Sequence, residues 1–159
     1  MIIISNHLFS PPKSSFQLAN GKTTKTKLKL LTETKNLPEG SYNSVWKLKQ
    51  QFTRDRLQST KENVELKKLF KHLKDRNISI CVASNAIRQT VLTSLEKIGV
   101  LIYCDYVFAN EDVFLSKPNA EMYMRCMISA KSNPDETIIV EDSHIGRKGA
   151  LRSGAYLCP

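Results

Sequence analysis

Between residues 59 and 159, short runs of β-branched and apolar residues alternate with amphipathic helical stripes, and that alternation leaves few architectures open. Ser59-Thr60-Lys61-Glu62 has the form of a capping box, and Leu66, Leu69, Phe70 and Leu73 follow it at helical spacing. Residues 78–83 then predict a strand, and Ile87, Val91, Leu92, Leu95 and Ile98 predict a helix closed by Gly99. The pattern repeats as a strand over 106–109, a helix over 119–131, a buried strand over 137–140, a helix over 144–153 and the start of a strand over 155–158. Such a sequence predicts an α/β fold, a Rossmann-like parallel sheet flanked by helices on both faces.

The first 58 residues read differently and divide the chain into a basic N-terminal region, 1–58, and an α/β core, 59–159. Residues 10–39 are rich in Ser, Thr, Lys, Asn and Pro and predict an irregular segment with one short strand at 27–31, whereas 41–57 carry a weak helical pattern. Residues 1–77 hold 16 basic side chains against six acidic ones; residues 78–159 hold eight against nine. A cationic half attracts polyanions, yet its aromatic residues lack the spacing of a base-stacking platform. Nucleic acid is therefore disfavoured, and a solvated lysine-rich face is the simpler reading. The four cysteines stand apart from one another, which points to a reducing, cytoplasmic compartment. The apolar runs fall far short of the ~20 residues that span a bilayer, so no membrane role is expected.

Ligands of open parallel sheets bind outside the carboxyl ends of the strands. The residues there are Ser84 and Asn85, then Lys117-Pro118, then Glu141 and Asp142. The Ser84 hydroxyl, at a strand end and ahead of a helix, suits one side of a phosphate cup, with Asn85 beside it. Lys117 supplies a compact positive charge for the same anion. Glu141 and Asp142 are hard oxygen ligands of the kind Mg²⁺ takes. Each feature alone has an ordinary structural reading as an N-cap, a loop or surface charge. Their steps of 33 and 24 residues, each about one strand–helix unit, place all three at one sheet edge. Cys81 and Cys126 fall on faces expected to be buried, and Arg147 and Lys148 read as solvated.

From about residue 67 onward the chain resembles the haloacid dehalogenase-like hydrolases, in particular the capped subfamily of β-phosphoglucomutase and phosphoglycolate phosphatase. The resemblance is carried by Leu69-Phe70-Lys71-His72-Leu73 leading into Ile80-Cys81-Val82-Ala83-Ser84-Asn85, by residues 105–113, by Ser116-Lys117-Pro118, and by Ile138-Ile139-Val140-Glu141-Asp142 with the helix that follows. It implies a phosphotransfer site in which Ser84 and Lys117 hold the transferring phosphoryl group and Asp142, helped by Glu141, holds Mg²⁺. It also implies a nucleophile motif, DxDx[TV], after the first and central strand, and no Asp-x-Asp occurs in the 159 residues. The nearest substitute is Ile2-Ile3-Ile4 as that strand, with Asn6 at the nucleophile position and Leu8 at the acid position. An amide is a poor nucleophile and a leucine cannot move a proton. The sheet is expected to be incomplete at its C-terminal edge, and the N-terminal region to be a first strand plus a degenerate helical cap. Two readings follow. One is an ancestral Mg²⁺-dependent phosphatase or phosphotransferase for a small phosphorylated metabolite, impaired or split, inactive as an isolated chain, with a partner protein completing the sheet or the site. The other is a catalytically silent binding module that uses the anion cup and the basic half.

Overall fold

The structure, a computed structural model, describes residues 1–5 and 21–159. Five parallel strands form one sheet: β1 (Ile2–Ser5), β2 (Ile80–Ala83), β3 (Tyr106–Phe108), β4 (Ile138–Val140) and β5 (Tyr156–Cys158), in the order β3-β2-β1-β4-β5. The isoleucine triplet of β1 is indeed the central strand, paired with β2 through Ile3 and Cys81 and with β4 through Ile3 and Ile139.

Strand alternation sorts the apolar residues into two layers. Ile3, Cys81, Ala83 and Ile139 face α5 (Glu121–Ala130) and α6 (His144–Ser153), meeting Met122, Tyr123, Cys126 and Ala150. Ile80 and Val82 face the other way, against Phe70 of α3 (Val64–Asp75) and Val91 and Leu95 of α4 (Arg88–Lys97). Cys81 and Cys126 are both fully buried, as their positions predicted, and burial drives the Cys81 thiol pKa upward. The strand expected to be buried over 137–140 is covered on one face only: Ile139 is inaccessible, while Ile138 and Val140 are 44% and 39% exposed. An Ile-Ile-Val run is equally apolar on both sides, so its sequence gives no sign of which face lacks a cover.

The N-terminal region is more regular than its composition predicts. The short strand expected at 27–31 is instead the middle of a helix, α1 (Thr24–Lys35), begun by Thr23, whose hydroxyl accepts the Thr26 N–H at 3.3 Å, and ended by Asn36 in the left-handed region at φ 54°. Lysine and leucine are good helix formers; only Leu28 is buried, so a helix of mostly solvated side chains shows no strong stripe. α2 (Tyr42–Gln58) fulfils the weak pattern over 41–57 and packs against α4. The expected capping box is also corrected. Ser59 lies at the C-terminal end of α2, its hydroxyl donating to the Arg56 carbonyl at 2.9 Å, and Asn63 caps α3 by accepting the Leu66 N–H at 3.0 Å. No described helix is long and apolar enough to cross a membrane.

Asp105 fastens the entry to β3. Its carboxylate accepts both the Lys74 ammonium of α3, at 2.6 and 2.7 Å, and the Ile80 N–H at 2.8 Å. Burial acts to raise its pKa, and Lys74 with the Ile80 N–H overcomes that and holds it below the usual carboxylate value. A depressed folded-state pKa contributes stability that is present above the unfolded value, ~4 for Asp, and is lost as pH falls through the folded value. Asp105→Asn is therefore expected to cost about 1–2 kcal/mol in urea denaturation at pH 7. Its deficit against the parent should shrink as the pH is lowered from 5 toward 2; a pH-independent deficit would show that the carboxylate charge plays no part.

Candidate functional site

The strand order changes direction at β1, with β2 on one side and β4 on the other, so a crevice opens beyond the carboxyl ends of these strands. Ser84 and Asn85 leave the end of β2 there, Glu141 and Asp142 leave the end of β4, and Lys117 approaches from the segment ahead of α5 through a cis Lys117–Pro118 bond. Ser84, Asn85, Lys117, Glu141 and Ser143 are all buried. The structure thus brings the sequence-derived residues to one edge; Asn6 and Leu8 lie outside the described residues.

Glu141 is the anchor of this group. One carboxylate oxygen accepts the Lys117 ammonium at 3.0 Å and the Tyr123 hydroxyl at 2.7 Å, and the other accepts the Ser143 N–H at 2.8 Å and the Ser143 hydroxyl at 2.7 Å. Lys117 also donates to the Ala83 carbonyl at 2.9 Å and lies 4.9 Å above the Tyr123 ring. Burial pulls the Lys117 pKa below its ordinary value, and Glu141 opposes that pull. The Ser143 hydroxyl has a second task, accepting the Gly146 N–H at 3.0 Å as the cap of α6. α6 can approach this closely because residue 146 has no side chain: a Cβ there would lie 1.9 Å from a Glu141 carboxylate oxygen.

These contacts revise the expected roles. Glu141 is not a solvent-facing ligand; both its oxygens are engaged inside the fold, and the accessible carboxylate of the pair is Asp142. Among the described residues no cluster of three His, Cys, Asp or Glu side chains could hold a metal. A single exposed carboxylate does suit Mg²⁺, which keeps several waters and takes substrate phosphate as a further ligand. Asn85 acts as a clamp, accepting the Lys117 N–H at 3.1 Å and donating to the Lys117 and Gly21 carbonyls at 3.2 and 2.8 Å. Ser84 sits four residues ahead of α4, its hydroxyl accepting the Ala86 N–H at 3.2 Å, and the Glu111 carboxylate already takes the first N–H of α4. The first N–H of α4 is therefore not open to an anion at Ser84. Arg147, expected to be solvated, donates to the backbone carbonyls of Glu141 and Asp142.

A cavity of about 110 Å³ joins Ser84, Asn85 and Lys117 to residues the sequence did not single out: Lys22, Lys27 of α1 and Lys49 of α2. Burial lowers the Lys27 pKa; burial, then the charge of Lys27, lowers that of Lys49. Gly21 joins this segment to the core, at φ +75°, where a Cβ would lie 2.8 Å from both the Ser143 hydroxyl and Ile145. Lysines 22 positions apart in a lysine-rich stretch give no sequence signal. The Tyr123 hydroxyl left a faint one, since a tyrosine on a buried helical face needs a polar partner.

A family model described as haloacid dehalogenase-like hydrolase matches residues 3–158. The pyrophosphatase PpaX of Oceanobacillus iheyensis is 32% identical over 72 residues, 45% of this chain and 34% of its own length. A phosphorylated carbohydrates phosphatase of Thermotoga maritima is 23% identical over 94 residues, 59% of this chain and 44% of its own. The chain thus spans less than half the length of these curated relatives. Among solved structures, a β-phosphoglucomutase of Clostridium difficile superposes with a TM-score of 0.80 at 14% identity, covering 98% of this chain and 82% of that one. A predicted phosphoglycolate phosphatase of Haemophilus somnus superposes at 0.78 and 13% identity, covering 99% and 83%.

Removing one partner of a buried ion pair leaves an uncompensated charge. Lys117→Met is expected to destabilise the fold by about 3–5 kcal/mol in chemical denaturation, and adding Glu141→Gln should restore more than half of that loss. Gly146→Ala, which drives a methyl group into Glu141, should cost at least ~2 kcal/mol.

Proposed function

Because the chain belongs to the haloacid dehalogenase-like hydrolases, we propose that it holds the phosphoryl group of a small phosphate ester at Ser84 and Lys117, with the chemistry of transfer impaired. The observation that carries this reading is the meeting of Ser84, Asn85 and Lys117 around one small polar cavity at the sheet's switch point. Ser84 offers a hydroxyl to a phosphoryl oxygen, and Lys117 sets positive charge at the cavity floor. Glu141, Tyr123 and Asn85 fix where that charge lies. Asp142, one residue beyond Glu141, would hold Mg²⁺, which when bound neutralises phosphoryl charge. The division into an N-terminal region over 1–58 and a core over 59–159 belongs to the same proposal, the first part lending its lysines to the cavity rim.

Impairment rests on the missing nucleophile. The sequence has no Asp-x-Asp, and the residues that follow β1 at the corresponding places are Asn6 and Leu8, which supply neither an attacking carboxylate nor a proton carrier. The same observation favours the second reading, a silent module that binds a phosphorylated ligand without turning it over.

The folded chain is expected to release phosphate from an aryl phosphate at no more than the Mg²⁺-only background. It should nevertheless bind inorganic phosphate in titration calorimetry, about tenfold more weakly as Ser84→Ala. Mg²⁺ should strengthen that binding in the parent and not in Asp142→Asn. Turnover that disappears in Asp142→Ala would reveal a nucleophile among other residues and overturn the impaired reading. Phosphate binding indifferent to Ser84 would overturn the site itself.

A further inference from the structure

We propose that the groove between α2 and α4 is a docking surface for an acidic amphipathic helix of another protein. The groove encloses about 600 Å³ and, of its lining residues, shares only Lys49 with the cavity at Ser84. Val45, Leu48, Phe52 and Leu57 of α2 form its apolar side, and Thr90 and Ser94 of α4 form the other. Leu48 and Phe52 stay 53% and 65% exposed. A single exposed leucine or phenylalanine is ordinary on a protein surface; two of them one helical turn apart in a concave groove are not. The hydroxyls there make no demand on an occupant, since Thr53 donates to the Lys49 carbonyl at 2.8 Å and Ser94 to the Thr90 carbonyl at 2.6 Å. The groove therefore suits apolar side chains rather than a sugar or another polar small molecule. From Val45 to Leu57 it runs about 18 Å along α2, at 1.5 Å per residue, which matches three turns of a second helix with anchors at i, i+3 or i+4, and i+7.

Charge sets the kind of partner. Lys49 and Arg56 line the groove on the α2 side, and Lys97 lies on the same face of α4 as Thr90, two turns further on. None of the three belongs to an ion pair among the described residues. Cations along an apolar groove favour an occupant that carries carboxylates beside its apolar anchors. A second copy of this chain does not supply one, because none of the described α-helices has a net negative charge. An anionic lipid surface meets the charge but not the shape. A flat surface reaches Leu48 and Phe52 and leaves the concavity toward Thr90 and Ser94 empty, and a void forfeits the contacts its lining could make.

The test uses the full chain and labelled peptides of about 18 residues, long enough to be helical in water, with leucines at i, i+3, i+4 and i+7 and either glutamates or lysines on the flanks. In fluorescence anisotropy the glutamate peptide should bind at micromolar concentrations, and the lysine peptide about tenfold more weakly or less still. Phe52→Ser and Leu48→Ser, at exposed positions, should each weaken binding by about 5- to 50-fold with the circular dichroism of the chain unchanged, the worth of an apolar side chain buried on docking. Phe114→Ser, which removes a 91% exposed ring away from the groove, should leave binding within about twofold of the parent. Arg56→Glu/Lys97→Glu should invert the preference, so that the lysine peptide binds the tighter. No binding of either peptide, equal binding of both, a preference that survives the double reversal, or a loss shared equally by Phe114→Ser overturns the proposal. So does binding to phosphatidylserine vesicles, or self-association in sedimentation velocity, that requires Phe52 while the glutamate peptide is ignored; the groove then belongs to a membrane surface or to a second copy.

Discussion

The buried pair of Lys117 and Glu141 governs the rest of this structure. Taking both charges out of water costs several kcal/mol each, and the cost is offset only where geometry and further hydrogen bonds are complete. Among the described residues, Glu141 accordingly has four donors from three residues. To supply them, α5 must present Tyr123, α6 must begin at Ser143, and α6 must carry glycine where it passes over the carboxylate. The segment bearing Lys117 is held in turn by Asn85 at the end of β2. One ion pair thus ties together the ends of β2 and β4 and the two helices that cover one face of the sheet.

Much of the core was legible because burial is periodic: the runs at 78–83 and 106–109 and the stripe at 87–98 could hardly form anything but strands and a covering helix. Ser84, Lys117, Glu141 and Asp142 were legible as a group because strand ends in a parallel sheet meet at one edge. What each does was less so. A carboxylate reads the same in sequence whether it faces solvent or four donors, and what decides is the placement of Tyr123 and Ser143, which tertiary packing sets. α1 was missed because its lysines and threonines hide a helix that buries one leucine, and the brief alternation around Leu28 and Leu30 looks like a strand. Ser59 looked like a helix start because hydroxyl caps and helix-end serines share a composition; Asn63, four residues on, takes the part.

The uneven charge of the chain also gains a physical sense. In the core from Val64 onward the more buried lysines meet carboxylates, Lys74 on Asp105 and Lys117 on Glu141. In the helical pair before it, Lys27 and Lys49 line the cavity and belong to no ion pair among the described residues.

Gly21 joins these two parts. Its carbonyl is held by Asn85, the same side chain that grips the backbone of Lys117, and its missing side chain lets it lie against Ser143 and Ile145. The helical pair therefore leaves the core from a locked fulcrum, a few residues from the lysines it carries. Side chains further out along α1 and α2 can be exchanged without moving that fulcrum, so the composition of the pair is free to vary while its point of departure from the core stays put.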